Sequence, residues 1–118
     1  MFIIIENEVG EIKSMSIHNI KGSELNNIIK NNDVVLVDFW APWCGPCIAF
    51  GRVLEEFAAE NTNIKVVKIN VDDNQEIARN YKIMSIPTII YFVKGVQIKT
   101  LIGGQTKKTL IDLVSHNV

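Results

Sequence analysis

Residues 34–47 read Val34-Val35-Leu36-Val37-Asp38-Phe39-Trp40-Ala41-Pro42-Trp43-Cys44-Gly45-Pro46-Cys47. The first seven form a β-branched, nearly continuous apolar run, which suits a strand covered on both faces. Beyond Cys47, Phe50, Val53, Leu54, Phe57 and Ala58 recur at three- and four-residue steps, the period of an amphipathic helix, which ends near Asn61. Pro46 falls in the first turn of that helix, where a missing N–H would have had no intrahelical partner. The chain therefore passes from the end of a buried strand into the start of a helix, with Cys44 and Cys47 at the junction. Open α/β sheets place their sites at the carboxyl ends of strands.

The flanking sequence supports the same architecture. Upstream, residues 17–20 read as a short strand; Gly22-Ser23 offer a helix cap, and Leu25, Ile28 and Ile29 keep helical spacing up to Asn31-Asn32-Asp33. Downstream, residues 64–71 read as a strand interrupted by Lys65, Lys68 and Asn70. Asn74 is placed to cap a short helix through Tyr81, with Glu76 near the positive end of its dipole. Residues 88–93 and 96–102 flank Lys94-Gly95 as a hairpin, and Thr106 caps a last helix carrying Leu110, Ile111, Leu113 and Val114. Strand–helix alternation in the first half predicts parallel strands joined by right-handed crossovers, and the hairpin adds antiparallel ones. The expected fold class is α/β, a mixed central sheet with helices on both faces.

Composition narrows the function. The chain has 118 residues, 47% of them hydrophobic, and 12 basic against 13 acidic residues for a net charge of -1. One domain with an adequate core is expected. The charge lacks the positive excess that phosphate backbones require, so nucleic acid is not an expected partner. No run reaches the roughly 18 consecutive apolar residues of a membrane span, and residues 1–5 lack the positive start and length of a secretory signal. A cytoplasmic monomer is the expectation. There, a protein thiol pair stays reduced or cycles.

The two cysteines, separated by two residues, close too small a loop to staple a fold. At a helix N-terminus, Cys44 lies beside unpaired backbone N–H groups and the positive end of the dipole, which favours the reactive thiolate. Cys44 is thus the expected nucleophile. Cys47, one turn along, is placed to attack a mixed disulfide at Cys44 and release the product. Gly45 admits a partner closely and Pro46 stiffens the turn. Zinc is the main rival chemistry, but completing four ligands would require His18 and His116, which lack ligand-like spacing. Two ordinary core cysteines are the other alternative.

Taken together, Trp43-Cys44-Gly45-Pro46-Cys47, preceded by Val37-Asp38-Phe39-Trp40-Ala41 and followed forty residues later by Ile86-Pro87-Thr88, resembles the thioredoxin family. The likeness covers residues 15–118, taken as the domain, with residues 1–14 as an N-terminal extension in which residues 2–5 are expected to be a flexible or loosely docked tail. The resemblance implies the thioredoxin fold and a protein disulfide reductase of broad specificity. It implies a cycle between a Cys44/Cys47 dithiol and disulfide, with no bound cofactor or metal. The partners implied are disulfide-containing target proteins and an NADPH-dependent thioredoxin reductase.

The resemblance also assigns roles that the residues alone leave open. Asp38 could simply face solvent at the strand end; in the family the matching carboxylate is buried behind the second cysteine and accepts its proton, directly or through water. Lys68 matches the lysine close to that Asp, although a strand lysine is ordinarily exposed. Pro87 alone would be read as trans; the resemblance implies a cis Ile86-Pro87 bond that offers the Ile86 backbone to a substrate strand. Trp43, Gly45, Pro46, Gly103 and Gly104 would complete a shallow apolar groove. Two departures stand out. Ile48 replaces a usually basic or polar residue, and Gly51-Arg52 stands where many relatives have a kinking proline, so a straighter helix is expected. The Gly-Pro pair between the cysteines favours a reductant over an oxidase or isomerase, and two intact cysteines disfavour a non-catalytic binding subunit.

Overall fold

The computed structural model describes the backbone of residues 4–6 and 12–14 and the whole of residues 17–115. The strands are β1 (Ile4–Glu6), β2 (Ile12–Ser14), β3 (Ile17–Asn19), β4 (Val34–Trp40), β5 (Lys65–Asn70), β6 (Thr88–Val93) and β7 (Val96–Ile102). The helices are α1 (Leu25–Asn31), α2 (Gly45–Glu60), α3 (Gln75–Asn80) and α4 (Lys107–Ser115). The main sheet has the order β3-β5-β4-β6-β7. β4 lies at its centre, parallel to β5 and antiparallel to β6, and β3 is parallel to β5.

Central placement explains why residues 34–39 are all buried and why the sequence there is continuously apolar but for Asp38. Val34 and Leu36 pack with Phe50, Leu54 and Phe57 of α2 and Leu110 and Val114 of α4. Val35, Val37 and Phe39 pack on the opposite face with Leu25 and Ile29 of α1 and with Ile77 and Tyr81 around α3. Helices cover both faces, as expected, and the alternation of side chains along a strand assigns Asp38 and Trp40 to the α2 face. Lys107 on α4 reaches Glu56 and Glu60 on α2 at 2.8 Å each, a solvent-facing link that contributes modestly.

The β6–β7 hairpin closes through Lys94 (φ 50°) and Gly95 (φ 80°), two left-handed residues in succession, as a tight turn matched to strand twist requires. Thr106 caps α4 as expected, its Oγ1 accepting from the Thr109 N–H at 3.1 Å. Two other expected caps differ. Ser23 lies inside a 3-10 turn, Gly22–Glu24, that precedes α1, and the Lys21 N–H donates to Glu24 Oε1 at 3.0 Å. Asn74 makes no side-chain cap to α3. Its Oδ1 instead accepts from the Gly22 N–H at 2.8 Å while its Nδ2 donates to the Asn70 carbonyl, so it fastens the β3–α1 connection to the β5–α3 connection. Glycine is required at position 22, where a Cβ would come within 2.6 Å of Ile77 Cγ2.

Within the N-terminal extension, β1 pairs antiparallel with β2 as a separate two-stranded sheet, so residues 4–5 lie in a strand where a loose tail was expected. It is not an added edge of the main sheet.

Candidate functional site

The site forms where β4 ends and α2 begins. Trp40 closes β4, and Cys44 takes the N-cap position of α2, with its Sγ accepting from the Cys47 N–H at 3.2 Å. The sulfur thus occupies the place that a serine or aspartate oxygen takes at other helix starts. Cys44 and Cys47 are joined as a disulfide with Cα atoms 5.2 Å apart. Cys44 keeps 6% exposure and Cys47 none. Of the two sulfur-bearing residues, Cys44 is thus the one with access to solvent.

The Ile86-Pro87 bond is cis, and the Ile86 carbonyl oxygen lies 3.8 Å from Cys44 Sγ. Ile86 also packs with Ala41, Cys44 and Cys47 in one small cluster. Gly103, at φ 89°, donates its N–H to the Pro87 carbonyl at 2.8 Å, which brings the end of β7 beside the proline. A Cβ at Gly45 or at Gly103 would meet nothing within 4 Å, and one at Gly104 would touch only Phe50 Cβ at 3.7 Å. These three glycines thus leave their own side-chain positions clear. Trp43 stands on the rim, 71% exposed, and its indole N–H donates to Asp72 Oδ2 at 2.8 Å.

Asp38 is fully buried, and neither of its oxygens has a hydrogen-bond partner. Burial pushes its carboxyl up to about 7, an effect that the Lys68 ammonium partly opposes. Asp38 and Lys68 are register partners on β4 and β5. The Lys68 ammonium lies 4.1 Å over the Trp40 ring and forms no ion pair with Asp38. A buried carboxyl near neutrality can take or give a proton at physiological pH.

The sequence-marked residues thus fall into one neighbourhood at the end of the sheet: Cys44 and Cys47 at its centre, Ile86, Pro87 and Gly103 beside them, and Asp38 and Lys68 on the face under α2. Sequence reasoning gave no role to Asp72, Met84 or Trp40. Asp72 follows the carboxyl end of β5, the strand beside β4, and that position was the available signal. Met84, 92% exposed and two residues before Ile86, carried no signal. The zinc alternative finds no support in the donor geometry: among the described residues, no three His, Cys, Asp or Glu side chains come together to hold an ion. His18 lies on the edge strand β3, and His116 lies outside the described residues.

A disulfide at a helix N-terminus with a cis-proline beside it defines a thiol–disulfide oxidoreductase domain. Comparison with known proteins carries this further. The thioredoxin family model matches residues 16–116, and the chain belongs to the thioredoxin family. It is 50% identical over 92 residues to a thioredoxin of Pyropia yezoensis, spanning 77% of this chain and 86% of that one. It is 44% identical over 107 residues to a thioredoxin of Mycobacterium tuberculosis, spanning 90% and 92%. Among solved structures, a point-mutant thioredoxin from Halobacterium salinarum superimposes with a TM-score of 0.80 at 40% identity, covering 85% of this chain and 88% of that chain. The fold is the thioredoxin fold, and the activity is reduction of protein disulfides by a redox-active Cys44–Cys47 pair without a cofactor.

Proposed function

We propose that Cys44 is the attacking thiol, Cys47 the resolving thiol and Asp38 the proton acceptor for Cys47. The unequal exposure of the two sulfurs at the start of α2 carries this reading. The Cys44 thiolate attacks one sulfur of a target disulfide, forming a mixed disulfide and expelling the other target sulfur as a thiolate. Cys47 then passes its proton to Asp38, directly or through water, and attacks Cys44 Sγ. The Cys44–Cys47 disulfide forms and the second target sulfur leaves as a thiolate; the target gains the two electrons that this chain loses, and its two thiolates take up protons, one released by Asp38 and one from water. Lys68 moderates the carboxyl, keeping it ionisable near neutrality despite its burial.

The target approaches over Trp43, Gly45 and Pro46 and lies as an extended segment along Ile86 and Pro87, flanked by Gly103 and Gly104. Peptide groups at the cis bond supply the hydrogen bonds of an added strand. An NADPH-dependent thioredoxin reductase returns the pair to the dithiol, and the chain works as a cytoplasmic monomer on protein targets, not on nucleic acid. Residues 15–118 act as the catalytic domain and residues 1–14 as an extension to it. A relative in Mycobacterium leprae is described as a bifunctional thioredoxin reductase/thioredoxin, which supports the pairing with a reductase.

The test is NADPH oxidation coupled through a thioredoxin reductase to reduction of insulin. The native chain turns over, Cys44→Ser abolishes turnover, and Cys47→Ser accumulates a mixed disulfide through Cys44. Undiminished turnover in Cys44→Ser would sink the assignment.

A further inference from the structure

Three side chains and one glycine meet on the α2 face of the sheet in an arrangement that the disulfide chemistry does not by itself require. Lys68 leaves β5 toward this face, and its ammonium settles over the Trp40 ring at 4.1 Å from the centroid. The indole is fixed from its far edge, where Nε1–H donates to Asn19 Oδ1 on β3 at 3.2 Å. A Cβ at Gly51 of α2 would lie 3.6 Å from Lys68 Nζ. The cation thus lies against an aromatic face and also close to a helix position that carries no side chain. Asp38 is the register partner of Lys68, yet the two form no ion pair within 4.0 Å.

We propose that Trp40 is a positioning residue for Lys68: it holds the ammonium on its ring, beside the buried carboxyl of Asp38 and out of contact with it. The proposal rests on the reading of Asp38 as the proton acceptor and deepens it. A lysine head on a four-carbon stem reaches for water when nothing retains it. Released to solvent, it would leave the carboxyl with burial alone and hence more strongly protonated. Brought into a direct pair, it would hold the carboxyl ionised and deprive it of basicity near neutral pH. An aromatic face attracts the cation without neutralising it, so the positive charge stays near Asp38 at an intermediate strength.

The groups able to carry charge toward Asp38 are few. β5 contributes Lys68, α2 contributes Cys44 and Cys47, which titrate only when reduced, and β6 contributes the phenol of Tyr91 in the same packed layer. The α4 residues buried in that layer are Leu110 and Val114. In the disulfide form, Lys68 is thus the charge that neighbours the carboxyl.

The experiment follows the Asp38 carboxyl resonance by carbon-13 NMR against pH in the disulfide form of the full chain. Lys68→Met should raise the midpoint by on the order of one pH unit, the scale of a charge several ångströms away in a protein interior. Trp40→Leu should raise it by most of that amount, and Trp40→Phe, which keeps a ring face, should restore it toward the native value. In a Lys68→Met background, Trp40→Leu should add nothing. No shift in Trp40→Leu, or an equal shift without Lys68, would overturn the proposal; a lowered midpoint that requires Lys68 would show the ammonium falling onto the carboxyl once the ring is gone, and would uphold it. Should the leucine substitution unfold the chain, Asn19→Ala carries the same test. It should give a smaller upward shift that vanishes in the Lys68→Met background, and no shift would again overturn the proposal. Turnover of Asp38→Asn separates the two readings: unimpaired turnover would sink the acceptor role of Asp38 while leaving the Trp40–Lys68 coupling standing.

Discussion

Val35, Val37 and Phe39 enter the layer beneath α1 and α3, whereas Val34, Leu36 and then Asp38 enter the layer beneath α2 and α4. The first set packs within an apolar cluster edged by the Tyr81 ring, and each residue contributes by removing surface from water. The second set begins the same way and ends in a carboxyl that is buried without a hydrogen bond. One strand thus builds a purely cohesive layer on one face and places a destabilising group on the other. Stability is surrendered within two residues of the strand end, on the side where α2 carries the disulfide.

The comparison can be broken from either side. Phe39→Ala attacks the cohesive layer. It removes a fully buried ring whose centroid lies 6.1 Å from that of Tyr81, and should cost about 3–5 kcal/mol of unfolding free energy at every pH. Guanidinium unfolding midpoints at pH 5 and pH 8 should fall equally.

Asp38→Asn attacks the other layer and should do the reverse. The folded carboxyl is raised from 3.8 to about 7, so between those values the folded state holds a proton that the unfolded chain has lost. Stability then declines as pH rises through that window and levels off above it. The isosteric amide removes the charge, so the variant should gain up to about 4 kcal/mol over the native chain at pH 8 and almost nothing at pH 4. Equal gains at both pH values would show that charge burial is not the cause. Disulfide-reducing turnover of the same variant should fall by at least about tenfold, since a positioned proton acceptor commonly contributes more than that.

A smaller effect is expected from Asn74→Ala, which belongs to neither layer. It deprives the Gly22 N–H and the Asn70 carbonyl of their partner and should cost about 1–2 kcal/mol. Faster amide exchange at Gly22 would accompany it. The smallest is Gly51→Ala. The new methyl would reach ordinary contact with Lys68 Nζ at 3.6 Å, and helix propensity should yield a gain of up to about 1 kcal/mol. A loss measured by thermal unfolding would mean that the cation cannot share the space.

Much of this was legible in the sequence, and the reasons are local. Strands β4, β6 and β7 were readable to the residue because a buried centre strand demands an apolar run and a two-residue turn marks its hairpin. Placement of the cysteines followed from the strand-to-helix junction. What depended on distant packing was not legible. Asn74 has a capping residue's chemistry, but the nearest unsatisfied donor is on Gly22, fifty-two residues away. Asp38 alone could face water; α2 crossing over it decides the matter. The cis bond before Pro87 came from family resemblance, since nothing in an Ile-Pro dipeptide distinguishes the isomers. Lys68 was expected beside Asp38, and its choice of an aromatic face over the carboxylate belongs to the third dimension.

Gly45 and Gly103 leave empty the positions at which other residues would present side chains to an arriving partner. On the proposed docking mode, the parts of the surface contributed by these glycines carry almost no information about the sequence received. Under that mode, sorting among targets passes to properties of the targets themselves, namely how far each disulfide protrudes and how readily it accepts electrons.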